Sequence, residues 1–115
     1  MDDRTRAWLY EIISAIQEIE GYFDDNQKTL AYFSSHPIKK RAVERNIEII
    51  GRFISILAQN VNNLKISQVE KFIDTSNRLH QGRNQVSDDM LWEIIHYDLP
   101  RLREEIHLGI IQASQ

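Results

Sequence analysis

Residues 37–59 read PIKKRAVERNIEIIGRFISILAQ, and the spacing of their apolar side chains decides the fold. Ile38, Ala42, Ile49, Phe53 and Ile56 follow a helical period, with Val43, Ile47, Ile50, Ile54 and Leu57 beside them. A strict step of four from Ala42 would land on polar Asn46, so the stripe passes over it. Pro37 suits a first helical position, where its missing N–H would have no intrahelical acceptor and its fixed φ already fits. Asn60, Asn62 and Asn63 end the pattern. The spacing therefore predicts a helix from Pro37 to about Gln59 with an unusually wide apolar face. One small bundle struggles to cover such a face, which favours a dimer that buries the surplus.

The flanking sequence repeats the pattern. Trp8, Ile12, Ile16, Ile19 and Phe23 recur at steps of four, four, three and four, predicting a first helix over about Asp3 to Phe23. Thr29–Phe33 can form one helical turn before Pro37. Ser67-Gln-Val-Glu70 is a capping-box pattern, so a third helix is expected from Ser67, with Val69, Phe72, Ile73 and Leu79 turned inward. Gly82 can end it. Ser87-Asp88-Asp89 supplies a cap and two acids at the positive end of a fourth helix. Pro100 lies inside that last pattern. The helix is expected either to kink there or to end and restart with Asp98 as a new cap. With only four glycines and two prolines, turn signals are too few for a sheet protein of this size. The expected fold is all-α, an antiparallel four-helix up-and-down bundle that forms one domain over residues 1–115.

Composition excludes several classes of function. A chain of 115 residues has room for one compact domain. Without cysteine there is no disulfide framework, thiolate zinc site or thiol nucleophile. Fourteen Lys and Arg against 17 Asp and Glu give a net charge of -3, so any nucleic-acid contact must come from a local patch. The N-terminus MDDRTRAWLY lacks a signal-peptide pattern, and no run approaches the roughly 20 apolar residues of a membrane span. A cytoplasmic location without membrane contact fits these features.

The four histidines, His36, His80, His96 and His107, do not form a His-Glu-x-x-His or paired Glu-x-x-His arrangement, so no metal site is expected. No phosphate-binding glycine loop or serine elbow is present, and no cofactor is called for. Candidate chemistry is confined to Thr75-Ser-Asn-Arg-Leu-His-Gln-Gly-Arg-Asn84. There Arg78, His80 and Arg83 fall within six residues of an otherwise slightly acidic chain. A histidine can move a proton to or from an RNA 2′-hydroxyl while arginines stabilise developing phosphate charge, with no need for a metal. The plainer reading makes both arginines solvated charges at a helix C-terminus.

Val86-Ser-Asp-Asp-Met-Leu-Trp92-Glu-Ile-Ile, followed by Leu99-Pro100 and Leu102, resembles the C-terminal half of HepT-type HEPN proteins. Arg41-Ala-Val-Glu-Arg-Asn46-Ile-Glu-Ile-Ile-Gly51 resembles the second helix of the same family. The resemblance implies an all-helical homodimer whose relatives are metal-independent ribonuclease toxins, neutralised by a minimal nucleotidyltransferase (MNT) antitoxin. The family signature is an Arg, often followed by Asn, then a His after four intervening residues and a Tyr two further on. Counted back from Val86 and Trp92, these places fall on Ser76, Asn77, Gln81 and Arg83, and only Asn77 matches. Ser lacks the charge for phosphate, and Gln does not titrate near neutral pH. Arg83 removes the tyrosine that the partner transferase modifies in studied pairs. Arg52-Phe53 also stands where Glu-Ala is expected after Gly51.

Two readings of these departures follow. In one, His80 with Arg78 or Arg83, and with Arg52, rebuilds a cationic acid–base site for RNA. A one-residue shift on a helix, however, turns His80 by about 100° from the face of Gln81. In the other, the chain is a catalytically inactive helical homodimer that binds a nucleotidyltransferase. Trp8 and Trp92 are expected as core or dimer-interface anchors. Lys39-Lys-Arg41 and Arg45, interleaved with Glu44 and Glu48, are expected to form a solvated, ion-paired face.

Overall fold

The computed structural model describes residues 2–24, 28–62, 64–82 and 85–113, with side chains as far as Gly109. The order of elements is α1 (Asp3–Gly21), α2 (Leu30–Ser34), α3 (Pro37–Asn60), α4 (Val69–Gln81), α5 (Asp88–Glu93), a π-helical turn (Ile94–Asp98) and α6 (Leu99–Ala113), with no strand among the described residues. Three helices start on side-chain caps. The Asp2 carboxylate accepts from the Thr5 N–H at 2.7 Å, Thr29 Oγ1 from Tyr32 at 3.1 Å and Ser87 Oγ from Met90 at 3.2 Å.

Contacts between helices fix an antiparallel ring. Asn46 Nδ2 donates to the Tyr22 hydroxyl at the end of α1, while Leu9 and Leu57 line one pocket at the opposite end. Along α3 and α4, Gly51 faces Phe72 and Glu48 faces His80. Lys71 reaches Asp98 while Ser67 reaches Glu105, and Arg103 pairs with Glu20. The α5–π–α6 rod is therefore the fourth helix, returning beside α1, and the up-and-down bundle expected from periodicity is the fold.

The wide face of α3 is largely covered within one chain. Val43, Ile47, Ile50, Ile54 and Leu57 are fully buried, and Ile49, Phe53 and Ile56 are half-buried. Ile38 remains 85% exposed. Trp92 belongs to an aromatic cluster, with Phe33 at 5.4 Å and Phe23 at 5.7 Å between ring centroids. Trp8 is half-buried, with the Arg4 guanidinium 5.3 Å from its ring centroid.

Two local expectations are overturned. The capping box at Ser67 does not form, because α4 begins at Val69 without a side-chain cap, and both the Ser67 N–H and Oγ donate to the Glu105 carboxylate at 2.7 Å. A charge-assisted tertiary contact takes the groups a local cap would have used. Nor does the chain restart at Asp98. The helix runs on through the π-turn, whose wider register lets the Leu99 N–H reach the Ile94 carbonyl just before Pro100, which has no N–H to give. Asp98 is 7% exposed and paired with Lys71 at 2.6 Å.

Candidate site between α3 and α4

The two middle helices approach most closely at Gly51 and Ser76. A Cβ on Gly51 would overlap that of Ser76 and lie 2.6 Å from the Phe72 carbonyl oxygen. Ser76 Oγ donates to the Glu48 carbonyl at 3.0 Å, so this side chain is satisfied within the helix contact. Beside the crossing lies a cleft of about 360 Å³, lined by Glu48, Arg52, Ser55, Ile56, Ile73, Asn77 and His80 as well as Gly51 and Ser76.

Helical spacing explains the membership. Ser76 and His80 are four apart and Asn77 lies between them on the same edge of α4. His80 Nδ1 is 3.4 Å from Glu48 Oε1, and its imidazole is 85% exposed. The Glu48 carboxylate is an acceptor that can orient the ring. Arg52, one residue past Gly51, brings a guanidinium to the same cleft. This arrangement can transfer a proton through His80, set a cation against a phosphate through Arg52 and offer an amide through Asn77.

The other candidate residues are placed differently. Arg78 turns away and pairs with Asp74 at 3.1 Å along its own helix. Gln81 is exposed and does not line the cleft. Arg83 lies outside the described residues. Thus Ser76, Asn77 and His80 come together, joined by Arg52, while Arg78 and Gln81 do not. The 100° turn between His80 and Gln81 is present, and His80 is the one that faces the cleft. Glu48 was legible as a neighbour of Arg52 at a step of four, but its charge pattern read as part of a solvated face. No group of three or more metal-ligating side chains occurs among the described residues.

The basic run before the cleft is already engaged. Lys39 Nζ donates to the Tyr22 carbonyl at 2.7 Å and the Tyr32 hydroxyl at 2.8 Å, and Lys40 pairs with Asp88. That hydrogen bond from Lys40 holds the Asp88 carboxyl below its ordinary value, and the hydrogen bond to Asp98 holds the Lys71 amine above its own. Neither group is in the cleft. No helix among the described residues is long and apolar enough to cross a membrane.

Residues 12–108 match a family described as ribonuclease HepT-like. The chain is also 31% identical over 105 residues to a Methanocaldococcus jannaschii protein named as a gamma-glutamylcyclotransferase and proposed RNase. That alignment covers 88% of this chain and 45% of the relative, so the chain spans less than half of the relative's length. No solved structure matches at a significant level.

Proposed function

Since the chain belongs to the HepT-like ribonuclease family, we propose that it is the HepT-type component of a HEPN/MNT toxin–antitoxin pair and cleaves RNA without a metal, through a cleft centred on His80. His80 takes the proton of a 2′-hydroxyl as that oxygen attacks the adjacent phosphorus. The bond to the 5′-oxygen breaks, and that oxygen leaves with a proton from water. Arg52 stands against the phosphate as its charge develops, in place of Arg78, and Asn77 offers a further donor. The observation that supports this reading is the convergence of His80, Asn77 and Arg52 on one cleft. The chain acts as a cytoplasmic homodimer, and its partner is an MNT nucleotidyltransferase. The cyclotransferase in the relative's name is not carried over to this chain.

The test is to incubate purified protein with RNA in chelator beside His80→Ala. Cleavage should fall by about 100-fold or more in the variant, whereas equal rates would sink the role of His80. A monomer in solution sizing would count against the homodimer.

A second reading rests on Ser76 and Gln81. With Ser76 closed onto the Glu48 carbonyl and Gln81 off the cleft, neither family position offers phosphate or proton chemistry, and the chain is a silent binding partner of the transferase. Absence of cleavage, together with stable copurification with the transferase, would support it.

A further inference from the structure

The ring order α1, α3, α4, α6 puts the α1/α6 seam on the side of the bundle opposite the α3/α4 cleft. A second cavity of about 260 Å³ opens in that seam, where α1 ends and the π-turn passes. Ile19 and Leu99 form an apolar floor. Trp92 forms a wall held rigid by its neighbours, with Phe33 stacked at 30° and His96 edge-on at 4.3 Å. Lys28 and Arg103 also line the cavity, and Arg103 makes a 3.0 Å bond to Glu20, each side chain of that pair being nearly half exposed. Two full cations and an imidazole thus face one carboxylate.

We propose that this cavity is a binding site for a nucleoside monophosphate. An apolar, aromatic interior gives a free phosphate ion nothing, and a cationic lining gives a neutral hydrocarbon nothing. A planar base joined to a dianion matches both parts. The base lies against Trp92, His96 and Phe23, while the phosphate draws Arg103 from its exposed pair with Glu20. That exchange is inexpensive, because an exposed ion pair contributes little to stability. The volume admits one mononucleotide with its phosphate at the opening. A purine is preferred to a pyrimidine because its larger ring buries more apolar area. The site is independent of the RNA reading and shares no residue with the α3/α4 cleft.

Titration calorimetry of the full chain tests this with guanosine 5′-monophosphate, guanosine and inorganic phosphate as probes. The nucleotide should bind saturably at one site, with guanosine and phosphate each at least tenfold weaker. Arg103→Gln, a surface change, should weaken nucleotide binding about tenfold and leave guanosine unaltered. Ile95→Phe, which fills the cavity wall, should abolish binding, while His80→Ala should not change it. No saturable binding of the nucleotide, equal binding of guanosine, or binding indifferent to both cavity substitutions would each overturn the proposal. Loss of binding in His80→Ala would overturn it too, by moving the nucleotide to the RNA cleft.

Discussion

Gly51 gives Ser76 its place: with no side chain on α3 at that point, Ser76 on α4 comes close enough to bond the Glu48 carbonyl across the crossing. Gly51→Ala puts a methyl into the Ser76 Cβ and beside the rigid Phe72 backbone, so the helices must separate. Overpacking of this kind costs about 1–3 kcal/mol, and the gain of about 1 kcal/mol in helix propensity does not offset its upper range. A net loss of about 1–2 kcal/mol is expected in denaturant unfolding. Gly109→Ala is the control, because nothing lies within 4 Å of a Cβ there. It should stabilise by about 0.5–1 kcal/mol. A stabilised Gly51→Ala would show that the crossing is looser than described.

The Lys71–Asp98 pair offers a different kind of test. Asp98 has only 9% of its side chain exposed and Lys71 has 31%. Lys71→Met strands the carboxylate. Removing one partner of a fully buried pair costs about 3–5 kcal/mol, and the partial exposure of Lys71 brings the expected loss to about 2–3 kcal/mol. The double change Lys71→Met with Asp98→Leu should recover most of it, measured by urea unfolding. Because Asp98 raises the Lys71 pKa, this contribution is complete below the ordinary lysine value and fades as pH climbs through the raised one. A Lys71→Met loss that stays constant through that alkaline range would contradict the pairing.

At acid pH the corresponding group is Asp88. Its pKa is lowered, first by the hydrogen bond from Lys40 and less by one from Ser34, against the opposing effect of burial. A depressed carboxylate stabilises the fold above its unfolded value, near pH 4, and loses that contribution as pH falls through the folded value. Asp88→Asn should therefore lower the melting temperature at pH 7, and the gap to the unaltered protein should close as the pH is taken down toward 2. A gap that persists in acid would assign the effect to packing and not to charge.

These contacts also show what the sequence could and could not convey. The starts of α1, α2, α3 and α5 follow from caps and periodicity, all of which act within a few residues of one another. Ser67 carried an equally good local signal, yet Glu105, 38 residues further on, took both of its donors. Asp98 likewise read as a cap because nothing nearby announces Lys71. For His80, helical geometry gives the angle to Gln81, but which of the two faces a cleft depends on where α3 lies against α4. The α1/α6 cavity joins residues 19–23 to 92–103, and neither segment carries a motif that points to the other.

Rebuilding the family signature separates the two readings of the α3/α4 cleft. Ser76→Arg keeps a Cβ where Ser76 already meets Gly51 and sends a guanidinium along the cleft toward Arg52, so the fold should tolerate it. Gln81→His falls on an exposed position, and Arg83→Tyr completes the set. The triple variant is expected to cleave RNA in chelator at least tenfold faster than the unaltered chain and to arrest growth when expressed without an antitoxin. Its proton transfer should pass to position 81, so adding His80→Ala to it should change little, whereas the same substitution should remove the basal activity of the unaltered chain. Cleavage in the triple variant alone would make the natural sequence a silenced toxin. A triple variant no faster than the starting protein would instead show that positions 76, 81 and 83 do not form the family site in this fold.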